Sequence, residues 1–179
     1  MAQDRQGGRR RRRLSEEKPI GYDASGYAIL TNAVLALLNE FPDLQGREIL
    51  FEELGKESGI AFSADNGALV ISERRSITDH VRQSCQYPFF VVYRTASTKE
   101  YQKLQVQKFL DTLGKWICRE PVTIDGQEVR LTAYPALSEG REITRITRSN
   151  SYGLDPGEDG VQDWLLPVTV TYTNEFDMW

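Results

Sequence analysis

The sequence predicts an α+β domain, a mostly antiparallel sheet with two main helices packed on it, behind a flexible N-terminal arm. Three observations carry this. The run Phe89-Phe90-Val91-Val92-Tyr93 is continuous, aromatic and β-branched, which suits a strand covered on both faces or nearly so. After it, Val106, Phe109, Leu110, Leu113, Trp116 and Ile117 recur at helical spacing and form one wide apolar face. Two dipeptides, Asn66-Gly67 and Asp125-Gly126, supply the positive φ of tight hairpins between extended pieces. The resulting order is arm, helix, strands, long helix, hairpin, loop, strand, which places the helices on an antiparallel sheet, expected on one face.

Residues 1–20 form the arm. It is poor in apolar residues and holds five consecutive arginines, Arg9, Arg10, Arg11, Arg12 and Arg13. Such a segment reads as disordered in isolation. Residues 1–18 hold seven basic and three acidic groups, a charge of +4; the whole chain is −4, so residues 19–179 sum to −8. An acidic body is unsuited to coating nucleic acid. The arm is a candidate contact for nucleic acid or for an acidic neighbouring subunit, or a solvated tail.

Residues 21–179 are expected to form one domain. Tyr22 to Phe41 predicts the first helix, with Asp23 or Ser25 as cap and Pro42 as stop. Tyr27, Leu30, Val34, Leu37, Leu38 and Phe41 give its apolar spacing, which points to core packing ahead of a partner-binding face. Short strands are expected within Glu48 to Leu54 and Ile60 to Phe62, and another over Ala68 to Glu73. Asn66-Gly67 would join the last two as a hairpin. Ile77 to Gln86 reads as an extended approach to the central strand, which Pro88 would start. Ser97 and Glu100 have capping-box spacing for the long helix, and Pro121 would end it. Val122 to Ile124 and Glu128 to Tyr134 form the second hairpin. Ser138 to Gly160 predicts a loop with a short strand or turn. Val161 to Tyr172 is the last strand, with Pro167 at an edge or bulge. Phe176, Met178 and Trp179 then lie beyond it, where exposed aromatics need a docking surface. They are candidate subunit-interface residues, or they dock on their own chain.

Catalytic and metal signatures are sparse. The single histidine, His80, cannot build a histidine-rich metal site, and CxxC spacing is absent. A Cys85–His80 nucleophilic pair is disfavoured, because residues an odd number apart in a strand face opposite ways. Cys85 and Cys118 read as reduced thiols. Glycine-rich phosphate loops are missing. Asp155 to Asp163 only faintly approaches a calcium loop. No apolar run is long enough to cross a membrane, and the arginines precede no secretory apolar region. The expectation is a non-enzymatic chain with no cofactor and no metal.

Three motifs carry a resemblance: Gln86-Tyr87-Pro88-Phe89 leading to Val92-Tyr93-Arg94; Phe109-Leu110-Asp111-Thr112-Leu113-Gly114-Lys115-Trp116; and Val161-Gln162-Asp163-Trp164 leading to the strand Pro167 to Tyr172. Over roughly Tyr22 to Phe176 the chain resembles small structural proteins of tailed bacteriophages and prophages of Gram-positive bacteria. These are labelled minor capsid proteins and are similar to tail terminators. The resemblance implies an α+β subunit of a ring, usually of six copies, that caps the head-proximal end of the tail tube. Its implied partners are further copies of itself, the tail tube protein and the head–neck connector proteins, and its implied location is the neck of the virion. A head–tail connector or stopper is the alternative within the same assembly. A nucleic-acid-binding protein acting through Arg9 to Arg13 is the alternative outside it. The arginine arm departs from the family pattern.

Overall fold

The structure, a computed structural model, describes residues 18–96 and 99–178. The chain runs β1 (Gly21–Tyr22), α1 (Ala24–Asn39), β2 (Ile49–Phe51), β3 (Gly59–Ala64), β4 (Leu69–Arg75), β5 (His80–Thr95), α2 (Glu100–Ile117), β6 (Val122–Ile124), β7 (Gln127–Val129), β8 (Arg141–Arg148), β9 (Tyr152–Gly153) and β10 (Gln162–Asp177). This is the expected α+β class. Ile20, expected in the arm, already contacts the sheet, since its N–H bonds the Val70 carbonyl.

The sheet is built on β5 and β10. They pair antiparallel over all sixteen residues, from Gln162–Thr95 to Asp177–His80. At about 3.3 Å per residue this ribbon is about 50 Å long. One flank of β5 is occupied in relay, by β4 against residues 81–86 and by β3 against residues 89–94. The far flank of β10 is shared in the same way by β8 and β9. β1 lies outside β4, and β2 lies outside β3 in parallel.

Asn66-Gly67 therefore does not join a hairpin, contrary to expectation. Both residues take positive φ, 60° and 76°. Yet β3 and β4 pair with consecutive parts of β5 and not with each other. The turn is a jog between two stretches running the same way, because β5 is long enough to template both. Asp125-Gly126 does make the expected hairpin, β6–β7, as a separate two-stranded sheet.

The two prolines sit where these neighbours change over. Pro88 is in the middle of β5, not at its start. Its carbonyl accepts from the Asp65 N–H, inside the jog between β3 and β4. The Pro167 carbonyl accepts from the Ser149 N–H, between β8 and β9. A residue's carbonyl and N–H point to the same flank of a strand. Each missing N–H thus falls where no ladder partner is lost, and two prolines are tolerated inside central strands.

Residues 138–160 hold more strand than expected. The spacing of Ile143 and Ile146 does not fit period two. A bulge resolves it: the β8–β10 register shifts between Arg145 and Ile143, so Thr144 is the extra residue and both isoleucines face the core.

Along the middle of the ribbon every second residue is buried. Val81, Cys85, Tyr87, Phe89 and Val91 of β5 meet Leu166, Val168, Val170 and Tyr172 of β10 on one face. Both helices cover that face. Thr31 of α1 bonds the Tyr87 hydroxyl, and Phe109 of α2 packs edge-on against Tyr93. Phe41 stacks between Phe109 and Trp116, joining the end of α1 to α2. Gly114 lets α2 approach closely, since a Cβ there would press on Leu166 and the Arg148 side chain. The apolar run at 89–93 is thus covered on one face only, a correction to its reading as two-sided.

Local capping follows chemistry. The Asp23 carboxylate caps α1 through the Gly26 N–H at 3.0 Å. Lys99 takes the N-cap position of α2, while Ser97 lies outside the described residues. α2 ends before Pro121, in a Schellman arrangement: Arg119 at φ 63° donates to the Trp116 carbonyl, and Glu120 donates to that of Lys115.

Candidate functional site

The uncovered face of the ribbon is the most unusual surface of the molecule. Alternation sets its content, because residues facing away from the helices come from even positions of β5 and odd positions of β10. Each rung is a directly paired couple. At one end Arg94 meets Asp163 in a two-point contact, Nε to Oδ1 at 2.7 Å and Nη2 to Oδ2 at 2.8 Å. Val92–Leu165 and Phe90–Pro167 follow, an apolar stretch half open to solvent. Then come Pro88–Thr169, Gln86–Thr171 and Ser84–Thr173, all neutral. The other end is ionic. Arg82 Nε lies 3.1 Å from Glu175, and His80 Nδ1 lies 2.8 Å from Asp177. Among the described residues, the buried core cluster takes nothing from Phe90, Val92, Leu165 or Pro167.

Catalytic geometry does not form around the expected candidates. His80 lies on this open face and Cys85 on the helix face, as their spacing requires. Burial pushes the Cys85 thiol up to about 11, away from the thiolate. Both ring nitrogens of His80 face carboxylates, Nδ1 that of Asp177 and Nε2 that of Glu175 at 3.6 Å. The hydrogen bond to Asp177 is the main cause of a raised His80 pKa. That is an ion-pair arrangement, with no nucleophile bonded to the imidazole. Cys118 is a half-buried free thiol at the end of α2. In the loop that faintly approaches a calcium site, Asp163 is held by Arg94 and Asp159 accepts the Val161 N–H. Among the described residues no cluster of three histidine, cysteine or acidic side chains is placed to hold a metal ion. No helix of the described residues is long and apolar enough to cross a membrane.

Of the expected contact residues, Arg9 to Arg13 and Trp179 lie outside the described residues. Phe176 and Met178 are described; Phe176 lies within the last strand, not beyond it, and Met178 directly follows the strand. β10 continues through Asp177, Phe176 pairs with Val81, and the Met178 N–H bonds the Asp79 carbonyl. Both remain partly open, Phe176 at 39% and Met178 at 45% exposure.

Two features escaped the sequence reading. The first is a buried ionic knot. Arg141 of β8 reaches Asp23 through Nη2 at 2.6 Å and Nε at 2.8 Å, and the Tyr172 hydroxyl donates to the same carboxylate. Burial alone would raise the Asp23 pKa. The Arg141, Gly26 and Tyr172 hydrogen bonds outweigh it and hold the carboxyl below its ordinary value. The second is a cleft of about 730 Å³ beside β8, lined by Arg119, Arg130, Arg145 and Arg148 against one acid, Glu120. Arg148 Nε is buried there without a hydrogen-bond partner among the described residues. The only advance signal was the density of arginines from 119 to 148.

No protein-family model matches the chain, and no curated protein matches it.

Proposed function

We propose that this chain is a tail terminator of a tailed bacteriophage: a ring subunit that caps the head-proximal end of the tail tube and joins it to the neck. The observation that carries the reading is the open sheet face. A ribbon about 50 Å long with helices on one side only leaves an apolar patch and a row of hydroxyls and amides uncovered. Such a surface is suited to stacking against another sheet protein or lining a channel. The neutral Ser/Thr/Gln rungs would let a passing polyanion slide without being held. The motif resemblance points the same way, towards a virion component that acts by assembly.

The test is tube assembly in a purified system. Tail tube protein is polymerised with and without this chain, and tube length is measured by negative-stain microscopy. Capping predicts shorter tubes with an added density at one end. A Phe90→Glu variant, altered on the open face only, should fold normally and lose this effect. Tube lengths unchanged by the wild-type chain would overturn the proposal.

A further inference from the structure

The charge of this acidic body is not spread evenly over its sheet. β8 and β2 are outermost strands on opposite sides of the ribbon, since β8 pairs only with β10 and β2 only with β3; the short β9 and β1 share those sides. The β8 side carries the arginine cleft. Arg119, Arg130 and Arg145 are exposed and make no ion pair among the described residues; Arg148 is drawn to Asp111. The β2 side carries Glu48, Glu52, Glu53 and Glu57 within ten residues, all exposed and likewise without an ion pair. Each edge also has its backbone protected. The Asn39 side chain bonds both the N–H and the carbonyl of Ile49, and the Tyr134 hydroxyl bonds the Ile146 backbone. Adding a strand is therefore disfavoured at both edges, and charge is what remains to recognise a partner.

We infer that the arginine cleft beside β8 is the docking site for the acidic β2 edge of a second copy of this chain. Unlike patches on opposite edges make a heterologous contact, and repetition of a heterologous contact closes into a ring when the rotation allows. The inference deepens the ring reading above, and rests on it only for closure. The pairing itself follows from the two patches. Arg145 is an exposed lining residue of the cleft, on β8 itself, and makes no ion pair among the described residues.

Sedimentation velocity of the full chain tests it with two variants, Arg145→Glu/Arg130→Glu and Glu52→Arg/Glu53→Arg. All four positions are exposed, and circular dichroism checks folding. The wild type should self-associate at about 0.05 M salt and dissociate towards 1 M, where the screening length is about 3 Å. Each variant alone should associate about tenfold or more weakly, because reversing two charges cancels the excess of one sign on the altered edge. An equimolar mixture of the two should recover association. A wild type monomeric at low salt, or association indifferent to both reversals and to mixing, overturns the inference. So does an oligonucleotide retained by the wild type and released by Arg145→Glu/Arg130→Glu with association unchanged, which assigns the cleft to nucleic-acid phosphate. Microscopy of the associated species separates the two readings. Open chains that obey the charge rules keep the contact and remove the ring; closed rings that ignore them keep the ring and remove the contact.

Discussion

At the residue scale, the Asp23–Arg141 knot concentrates the most consequence in the fewest atoms. It joins the N-terminus of α1 to β8 across 118 positions of sequence. Asp23→Asn keeps a cap for Gly26 but leaves the buried Arg141 guanidinium with only the exposed Glu139 carboxylate, 3.1 Å from Nη1, as counter-charge, at a cost of about 3 kcal/mol in denaturant unfolding. The pH dependence has a fixed sign. The folded-state pKa lies below the ordinary 3.8, so the stabilisation is complete above that value and is lost as pH falls through the folded one. Asp23→Asn should therefore flatten the acid limb of the stability curve. His80 has the opposite sign. Its raised pKa makes the Asp177 contact strongest below its ordinary 6.5, fading as pH rises through the folded value. An NMR titration of its ring protons should show the raised midpoint, and Asp177→Asn should lower it. Gly26→Ala would drive a Cβ into the Asp23 carboxylate and to 2.8 Å from the Tyr172 hydroxyl, costing about 1–3 kcal/mol. The sequence named Asp23 as a cap because capping is local. It did not name Arg141, whose buried partner Asp23 is distant in sequence.

At the scale of elements, legibility followed period. Both helices were readable, since 3.6-residue spacing needs no partner to be visible. Replacing Leu110, fully buried under α2, with Ala should cost about 2–5 kcal/mol. Strand lengths were less readable. β5 continues back to His80 through Arg82, Gln83, Ser84 and Gln86, whose polarity hides a strand that is buried on one face only. β8 was masked by its bulge, which breaks period two between Ile143 and Ile146. Deleting Thr144 removes the extra residue and leaves Ile143 and Ile146 two apart, so both still face the core in a regular ladder with Tyr172 and Val170. The expected result is that cooperative thermal unfolding is retained, and Thr144→Val should be tolerated as well. The end of β10 was misjudged for a similar reason, as Asn174 and Glu175 read as the close of a strand. Truncation after Asn174 would remove the partners of His80, Arg82 and Val81 and weaken the fold itself. Phe176→Ser is the cleaner probe of a role for this end in association, and unchanged sedimentation would exclude one.

At the scale of the whole molecule, the sheet has three distinct surfaces: a helix-covered face that makes the core, an open face, and two edges of opposite charge. Only the first was legible in sequence, because hydrophobic periodicity reports burial within the chain. The open face became visible once the β5–β10 register set rung against rung. The edges became visible once topology put β2 and β8 at opposite ends. Under the proposed function these would be the working surfaces of an assembling virion protein. The measurement that tests the proposed role most directly is electron microscopy of any particles produced from the genome that encodes this chain, with its gene disrupted. Tails of uncontrolled length, unattached to filled heads, are the predicted result. Tails of normal length beside DNA-leaking heads would contradict the terminator assignment and move the chain to the head side of the neck, and intact infectious particles would contradict a structural role altogether.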